Sequence, residues 1–117
     1  MEPIYDSRGR AVAWNNGTNI FHLNGAHAAI INGKNVYDRR GRHLGVFSDG
    51  YFRDHRGAAV AFKRGARGGP ILPIAAIAPI PPIPAIPPIP AIPSIPPIPG
   101  IPSLGWSGVE WDGFING

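Results

Sequence analysis

Four histidines are the side chains in this sequence best suited to bind a metal ion or transfer a proton: His22, His27, His43 and His55. His27 and His43 are 16 residues apart. In the repeat described below, that spacing places them two strands, or about 10 Å, from each other. One metal ion cannot be shared over that distance. We therefore expect surface histidines beside turns, and we predict no metal site and no cofactor.

Carboxylates also recur, at Asp6, Asp38 and Asp54. Each stands at the start of a predicted turn, where an aspartate side chain accepts hydrogen bonds from backbone N–H groups further along the turn. Turn capping therefore accounts for all three. The sequence has no phosphate-binding glycine loop, no nucleophile elbow and no dinucleotide-binding glycine pattern. We therefore predict no catalytic residue and expect a protein that is not an enzyme.

Arginines recur in the same turns and could bind anions. The candidate anion-binding residues are Arg8, Arg10, Arg40, Arg42 and Arg56. All 11 Lys and Arg lie within residues 1–69, and a guanidinium group can bind phosphate or carboxylate through two parallel hydrogen bonds. Turns arranged in a ring would form a basic rim suited to nucleic acid or an acidic polysaccharide. The alternative is that arginines and aspartates of neighbouring turns pair with each other.

These residues belong to a 16-residue unit that is repeated four times. The units start at Ile4, Ile20, Val36 and Phe52. One column of the repeat is always glycine, at Gly9, Gly25, Gly41 and Gly57. Another column, the small column, consists of Ala13, Ala29, Gly45 and Ala61. The Asp-x-Arg-Gly sequence predicts a type I turn followed by a glycine bulge, and the Asn-Gly pairs predict tight turns. Each unit is therefore predicted to be a β-hairpin.

Eight short strands in meander order predict an all-β fold. Four hairpins would be arranged about a pseudo-four-fold axis, as a closed barrel or as flower-like petals, and closure removes open strand edges. The first residues of the units should form a ring in the core, with something packed very close to the small column. Strict alternation along the second strand would place Val12 and Trp14 on one face and Ala11 and Ala13 on the other.

Residues 70–104 differ in composition from the repeats, because they are rich in proline and contain no charged residue. Isoleucine or leucine recurs at every third position from Ile71 to Leu104. Proline favours polyproline II, which has three residues per turn, so these side chains should form one stripe. The candidate interaction residues of this isoleucine stripe are Ile74, Ile77, Ile80, Ile83, Ile86, Ile89, Ile92, Ile95 and Ile98.

The predicted length of this segment limits where it can lie. At about 3.1 Å per residue it would extend roughly 100 Å, whereas eight strands span only about 38 Å. We expect it either to wind around or fold back on the hairpin domain, or to bundle with other chains, so a homo-oligomer or a protein partner is predicted. An exposed semi-rigid spacer and a ligand for a proline-recognising domain are the alternatives.

Three regions follow: a hairpin domain over residues 1–69, the Ile-Pro segment over 70–104 and a Trp-rich tail over 105–117. The tail should return to the core as a strand or cap, and an aromatic binding platform is the alternative. The chain has no cysteine and begins without a signal peptide pattern. Prolines exclude a membrane span. A cytoplasmic location is the default expectation, and secretion by a route that needs no signal peptide stays open.

The units IYDSRGRAVAW, VYDRRGRHLGVF and FRDHRGAAVAF resemble the small bacterial domain called the four-fold β-flower. The resemblance covers roughly residues 4–65, and it extends to the Trp-rich tail if that tail returns to the core. It implies four hairpins about a pseudo-four-fold axis, and it implies no activity and no functional residues. The second unit departs from the pattern, with Phe21-His22-Leu23-Asn24 at the turn, which counts against a strictly four-fold ligand rim.

Together these observations predict a non-catalytic structural or protein-interaction module that self-associates or packs through its Ile-Pro segment. The alternative is a binding module for an anionic polymer, either nucleic acid or an acidic polysaccharide, that uses the arginine-bearing turns.

Overall fold

The computed structural model describes residues 1–117 and contains eight antiparallel strands that close into a barrel. The strands are β1 (Glu2–Asp6), β2 (Ala11–Asn15), β3 (Asn19–His22), β4 (His27–Asn32), β5 (Asn35–Asp38), β6 (His43–Ser48), β7 (Tyr51–Arg53) and β8 (Ala59–Phe62). Each pairs with the next, and β8 pairs with β1. A short helix, α1 (Trp111–Ile115), lies near the end of the chain. The predicted all-β meander of four hairpins is confirmed, in its closed form.

Polar side chains and glycines build the turn within each hairpin. In the first, the N–H of Gly9 donates to the Asp6 carbonyl at 3.0 Å. The Asp6 carboxylate accepts the N–H groups of Arg8 and Arg10 at 2.9 and 3.0 Å. Gly9 has a φ of 82°, which glycine adopts without strain. The third and fourth hairpins repeat this arrangement, and the second uses the side chain of Asn24 instead.

The barrel interior is filled by one large and one small residue from each hairpin. The large ones are Ile4, Ile20, Val36 and Phe52, all 0% exposed. Each pairs in register with a residue of the small column. Helix α1 packs against this interior through Trp111, Phe114 and Ile115. A Cβ on Gly45 would lie 2.7 Å from the Phe114 ring and closer still to the backbone carbonyl oxygen of Arg53, so α1 and β7 together leave no room for a side chain at this position of the small column.

A β-bulge in each hairpin changes which side chains face the core. In the first hairpin Tyr5 pairs with Ala11 while the preceding residue pairs with Ala13, which leaves Val12 without a partner of its own. Val12 packs against the core together with Ala13, whereas Ala11 lies on the outer face beside Tyr5. The expectation that Val12 and Trp14 share a face is therefore wrong, because the extra residue reverses the alternation.

Residues 70–104 encircle the barrel, and we call this segment the belt. It contains neither helix nor strand, but its backbone is hydrogen-bonded once to each hairpin turn. The N–H groups of Ala76, Ala85, Ser94 and Ser103 donate to the carbonyls of Gly9, Gly25, Gly41 and Gly57 at 2.8 to 3.0 Å. Nine residues of the belt therefore correspond to one 16-residue hairpin, and the chain goes around the barrel a second time.

The dimensions of the molecule fit this arrangement. Nine extended residues at about 3.1 Å each cover roughly 28 Å, so four such steps make a circle about 36 Å across. The Cα atoms extend over 36 × 36 × 21 Å, which is a disc of that diameter. The polyproline II conformation of the belt stays a prediction, although its length agrees with these dimensions. The structure contains no helix with the length and apolarity needed to cross a membrane.

Candidate functional site

The isoleucine stripe lies on the outer side of the belt. The eleven isoleucines from Ile71 to Ile101 are 87 to 95% exposed. The inner side has no room for them, because the belt backbone lies directly on the turn glycines. A Cβ on Gly25, for example, would lie 2.6 Å from the carbonyl oxygen of Ile83. The belt therefore contacts its own domain through its backbone and small residues, and it presents its branched side chains to the surroundings.

Three of the predicted anion-binding arginines have partners within the chain. Arg10 contacts the Asp6 carboxylate through Nε and Nη2, both at 2.9 Å. Arg8 lies 3.8 Å from the carboxylate of Glu110, and both side chains are exposed. Arg42 donates to the carbonyl oxygen of the last residue. In the first hairpin Arg10 thus pairs with the aspartate of its own turn and Arg8 with Glu110 of the tail, so neither pairs with the aspartate of a neighbouring turn.

The other two predicted arginines, Arg40 and Arg56, are exposed and belong to no ion pair, and the same is true of Arg39. Arg40 and Arg56 occupy the same turn position in the third and fourth hairpins. The turn arginines are therefore distributed unevenly around the barrel. Those of the first hairpin lie beside carboxylates, the turn of the second has none, and the third and fourth hairpins carry arginines without ion-pair partners.

Two of the histidines are buried, contrary to the expectation of surface histidines. His27 and His43 are 6% and 7% exposed. Their Nε2 atoms lie 2.9 Å from the side-chain oxygens of Asn19 and Asn35, so the second and third hairpins carry the same Asn–His pair. Nδ1 of His43 lies 3.0 Å from Nε2 of His55 on the next hairpin. The bulge brings these partners together, and strict alternation does not reveal it.

Burial lowers the pKa of both buried histidines. The positive charges of Arg39 and His22 lower the pKa of His27 further, and His55 does so for His43. Their protonated forms are therefore disfavoured in the folded barrel. No three metal-binding side chains come together anywhere in the chain.

We expect the free energy of unfolding to decrease as the pH falls below about 6.5, the ordinary histidine value. In that range the unfolded chain binds protons that the folded chain, with its lowered pKa values, does not, so acid favours unfolding. Urea unfolding at pH 8 and pH 5 measures this difference. In the His27→Ala/His43→Ala variant the difference should shrink. Alanine is tolerated at this position, because Ala11 and Ala59 occupy it in the other two hairpins. An unchanged pH dependence would contradict the prediction.

One buried arginine joins the two ends of the belt. Arg53 is 3% exposed, and its Nη1 donates to the carbonyls of Gly57 at 2.6 Å and Ser103 at 2.8 Å. Its Nη2 donates to the carbonyl of Gly68 at 3.1 Å. Gly68 precedes the belt and Ser103 lies near its end. Arg53 therefore closes the ring, and we call this arrangement the clasp.

A neighbouring tyrosine supports the clasp. The guanidinium of Arg53 lies 5.2 Å from the ring centroid of Tyr51, within the range of a cation–π contact. The hydroxyl of Tyr51 donates to the carbonyl of Pro70 at 2.6 Å. The sequence contains a sign of this role, since the column of Tyr5, Phe21 and Tyr37 ends in an arginine. The repeat alone does not indicate what this arginine binds, because the belt lies outside the 16-residue pattern.

The comparison with known families covers almost the whole chain. The family model described as 4-fold beta flower protein matches residues 2–115, which include the barrel, the belt and α1. No curated protein and no solved structure matches the chain.

Proposed function

The chain belongs to the 4-fold beta flower protein family, and on that premise we propose that it is a non-catalytic structural module whose copies associate through the isoleucine stripe. The observation that carries this proposal is the nearly complete exposure of eleven isoleucines in one unbroken row. No catalytic motif in the sequence and no cluster of metal-binding side chains competes with this surface as the prominent feature of the molecule.

The size of the apolar surface supports a role in association. An exposed isoleucine contributes about 100 Å² of apolar surface that burial would remove from water. Eleven of them therefore expose about 1,100 Å², whereas the largest apolar patch on a typical monomer is about 300–600 Å². Residues 71–104 carry no charge, so burial of this surface requires no ion to be desolvated.

A second copy of the chain is the partner that fits this surface best. The predicted polyproline II geometry separates successive isoleucines by about 9 Å. A row of identical side chains at constant spacing is complementary to itself, because the side chains of one row can enter the gaps of another. Self-complementarity is the requirement for a contact in which two identical subunits use the same surface.

The shape of the stripe determines the kind of assembly. Two convex rims touch over a short arc, so one contact buries only a few isoleucines from each copy, less than a stable dimer needs. The stripe continues around most of the disc, however, so that one copy can contact several neighbours. We therefore propose weak, multivalent association in which the average mass grows with protein concentration and does not stop at a dimer.

Substitution of four outward residues tests the proposal. In the variant Ile80→Gln/Ile83→Gln/Ile86→Gln/Ile89→Gln, association measured by sedimentation velocity and light scattering should weaken at least tenfold. The melting temperature should not change, because these side chains are 92 to 94% exposed.

The matched control replaces the same four isoleucines with valine, which keeps the stripe apolar and should preserve association. A wild-type protein that stays monomeric at its highest soluble concentration would overturn the proposal. Equal association of the glutamine and valine variants would overturn it as well.

Binding of an anionic polymer through the turns is the second candidate. Three exposed arginines of the hairpin turns that have no ion-pair partner favour it, namely Arg39, Arg40 and Arg56. Because they lie in the third and fourth hairpins, the basic surface would cover only one side of the barrel and would not form the complete ring that the sequence suggests. If a polymer is the ligand, Arg40 and Arg56 should contribute equally to a salt-dependent interaction with heparin or single-stranded DNA.

A further inference from the structure

We propose that the cleft between the second and third hairpins is a binding site for the phosphate group of a small molecule. This inference goes beyond self-association, because the cleft lies among the hairpin turns and not on the isoleucine stripe. The cavity has a volume of about 440 Å³, and its lining includes His22, His27, Arg39, Arg40 and Arg42. A volume of this size suits a small organic ligand.

The charge of the lining distinguishes this cleft from its counterparts. The one carboxylate in it belongs to Asp38, whose Oδ1 already accepts the backbone N–H groups of Arg40 and Arg42, both at 2.9 Å. Three arginines and two histidines therefore line the cleft together with one carboxylate. The cleft between the first hairpin and the tail, in contrast, contains both Asp6 and Glu110.

The departure of the second hairpin from the repeat produces this difference. Its turn begins with His22, where the other three hairpins have aspartate. The substitution removes one carboxylate from the cleft and provides a side chain that can become cationic. His22 in place of an aspartate therefore makes this cleft less negative than its equivalents, which would all be the same in a strictly four-fold molecule.

A buried nitrogen without a partner points to a missing ligand in the same place. Nδ1 of His27 is buried and has no hydrogen-bond partner. Its Nε2 lies 2.9 Å from Oδ1 of Asn19, an acceptor, so neutral His27 carries its proton on Nε2 and leaves Nδ1 as an unpaired acceptor. A buried polar atom without a partner is destabilising, and it marks a place where a ligand that supplies a partner would be favourable.

The repeat shows which way this nitrogen points. In the equivalent pair one hairpin later, Nδ1 of His43 contacts His55. The residue equivalent to His55 for His27 is Arg39, sixteen positions earlier. By analogy with this pair, Nδ1 of His27 is directed toward Arg39, whose positive charge is close enough to lower the pKa of His27.

These groups together suit a phosphate dianion. The guanidinium groups of Arg39 and Arg40 can each donate two hydrogen bonds to its oxygens. The negative charge would favour protonation of His27 at Nδ1, which then becomes a donor and gains the partner that it lacks. Arg42 is held by the carbonyl of the last residue, so it contributes charge. Binding should consequently be accompanied by the uptake of a proton, with His22 as the other titratable cation that faces His27.

Titration of the full chain with inorganic phosphate tests the site. We expect saturable binding of one phosphate per chain by calorimetry. The ¹⁵N resonance of His27 Nδ1 should move toward the protonated range during the titration. The Arg39→Gln/Arg40→Gln variant should bind at least tenfold more weakly. His27→Ala should abolish the proton uptake. The barrel should stay folded, because alanine is the natural residue at the equivalent positions 11 and 59.

Arg56→Gln is the matched control, because Arg56 occupies the turn position of Arg40 on another hairpin and is equally free of ion pairs. It should bind phosphate within twofold of the wild type. An equal loss in both variants would overturn the site in favour of a diffuse basic surface, and the absence of saturable binding would overturn it outright. The four-glutamine variant of the belt should bind phosphate normally, so failure of self-association and failure of this site can be distinguished.

Discussion

The Arg53→Met variant is expected to lose about 3 kcal/mol or more of unfolding free energy. The variant loses three hydrogen bonds of the guanidinium group, and hydrogen bonds from a charged donor contribute about 1.5–3 kcal/mol each. Methionine would leave the carbonyls of Ser103 and Gly68 without their donor. The carbonyl of Gly57 would keep one partner, the N–H of Ser103. Urea unfolding measures the loss, and Arg56→Met is the control, since substitution of that exposed arginine should change stability by less than about 0.5 kcal/mol.

A second substitution separates the clasp from packing on the outer face of the barrel. Arg53→Tyr introduces the kind of side chain that the other hairpins have at this position, so the barrel should retain more of its stability than with methionine. The clasp would still be lost. Hydrogen exchange at the amide of Ser103, which donates to Gly57 at 3.0 Å, should therefore accelerate at least tenfold, while amides in β1 to β6 exchange as before. Unchanged exchange at Ser103 would show that Arg53 does not hold the belt.

The barrel could be predicted from the sequence because each of its determinants repeats every 16 residues. The turn glycines, the ring that begins with Ile4 and the small column recur at that spacing in all four units, and the turn aspartate recurs in three of them. Each also has a local cause, such as a cap, a positive φ or a close contact, that needs no knowledge of the rest of the chain. Closure then follows from the number of hairpins and from the cost of open edges.

The bulge could not be placed from the pattern of hydrophobic residues. Val12 and Ala13 both face the core, which breaks the period of two on which the assignment of faces rested. The same bulge determines that Asn19 and His27 lie side by side. As a result, the sequence predicts neither the buried histidines nor the cleft above one of them. It shows only that the turn of the second hairpin differs from the turns of the other three.

The path of the belt around the barrel follows from a second period in its sequence, which is harder to notice than the three-residue period of the isoleucines. Proline has no backbone N–H, so it cannot occupy a position that donates to a turn. The positions that do donate are Ala76, Ala85, Ser94 and Ser103, nine residues apart and all free of proline. This nine-residue spacing matches four turns that are 16 residues apart. Matching the two periods predicts a ring, whereas the isoleucine period alone predicts only a stripe.

A glycine in the turn column should tolerate alanine poorly for two separate reasons, and the chain offers a control for one of them. Gly41 has a φ of 87°, and a Cβ at this position would overlap the carbonyl oxygen of Ile92 in the belt. Gly65 has a φ of 82°, and a Cβ there would have nothing within 4 Å. Both alanine variants incur the left-handed backbone penalty of about 1–2 kcal/mol, but only Gly41→Ala displaces the belt.

We therefore expect Gly41→Ala to lower the unfolding free energy by about 2 kcal/mol more than Gly65→Ala. The excess comes from hydrogen bonds that a displaced belt would lose, at about 1 kcal/mol each. Ser94 donates its N–H to the Gly41 carbonyl at 2.8 Å, and its hydroxyl accepts the N–H of His43 at 3.2 Å. Exchange of the Ser94 amide should accelerate in Gly41→Ala and stay slow in Gly65→Ala. Equal losses of stability in the two variants would mean that the belt does not rest on the turns, because backbone strain is the only penalty that they share.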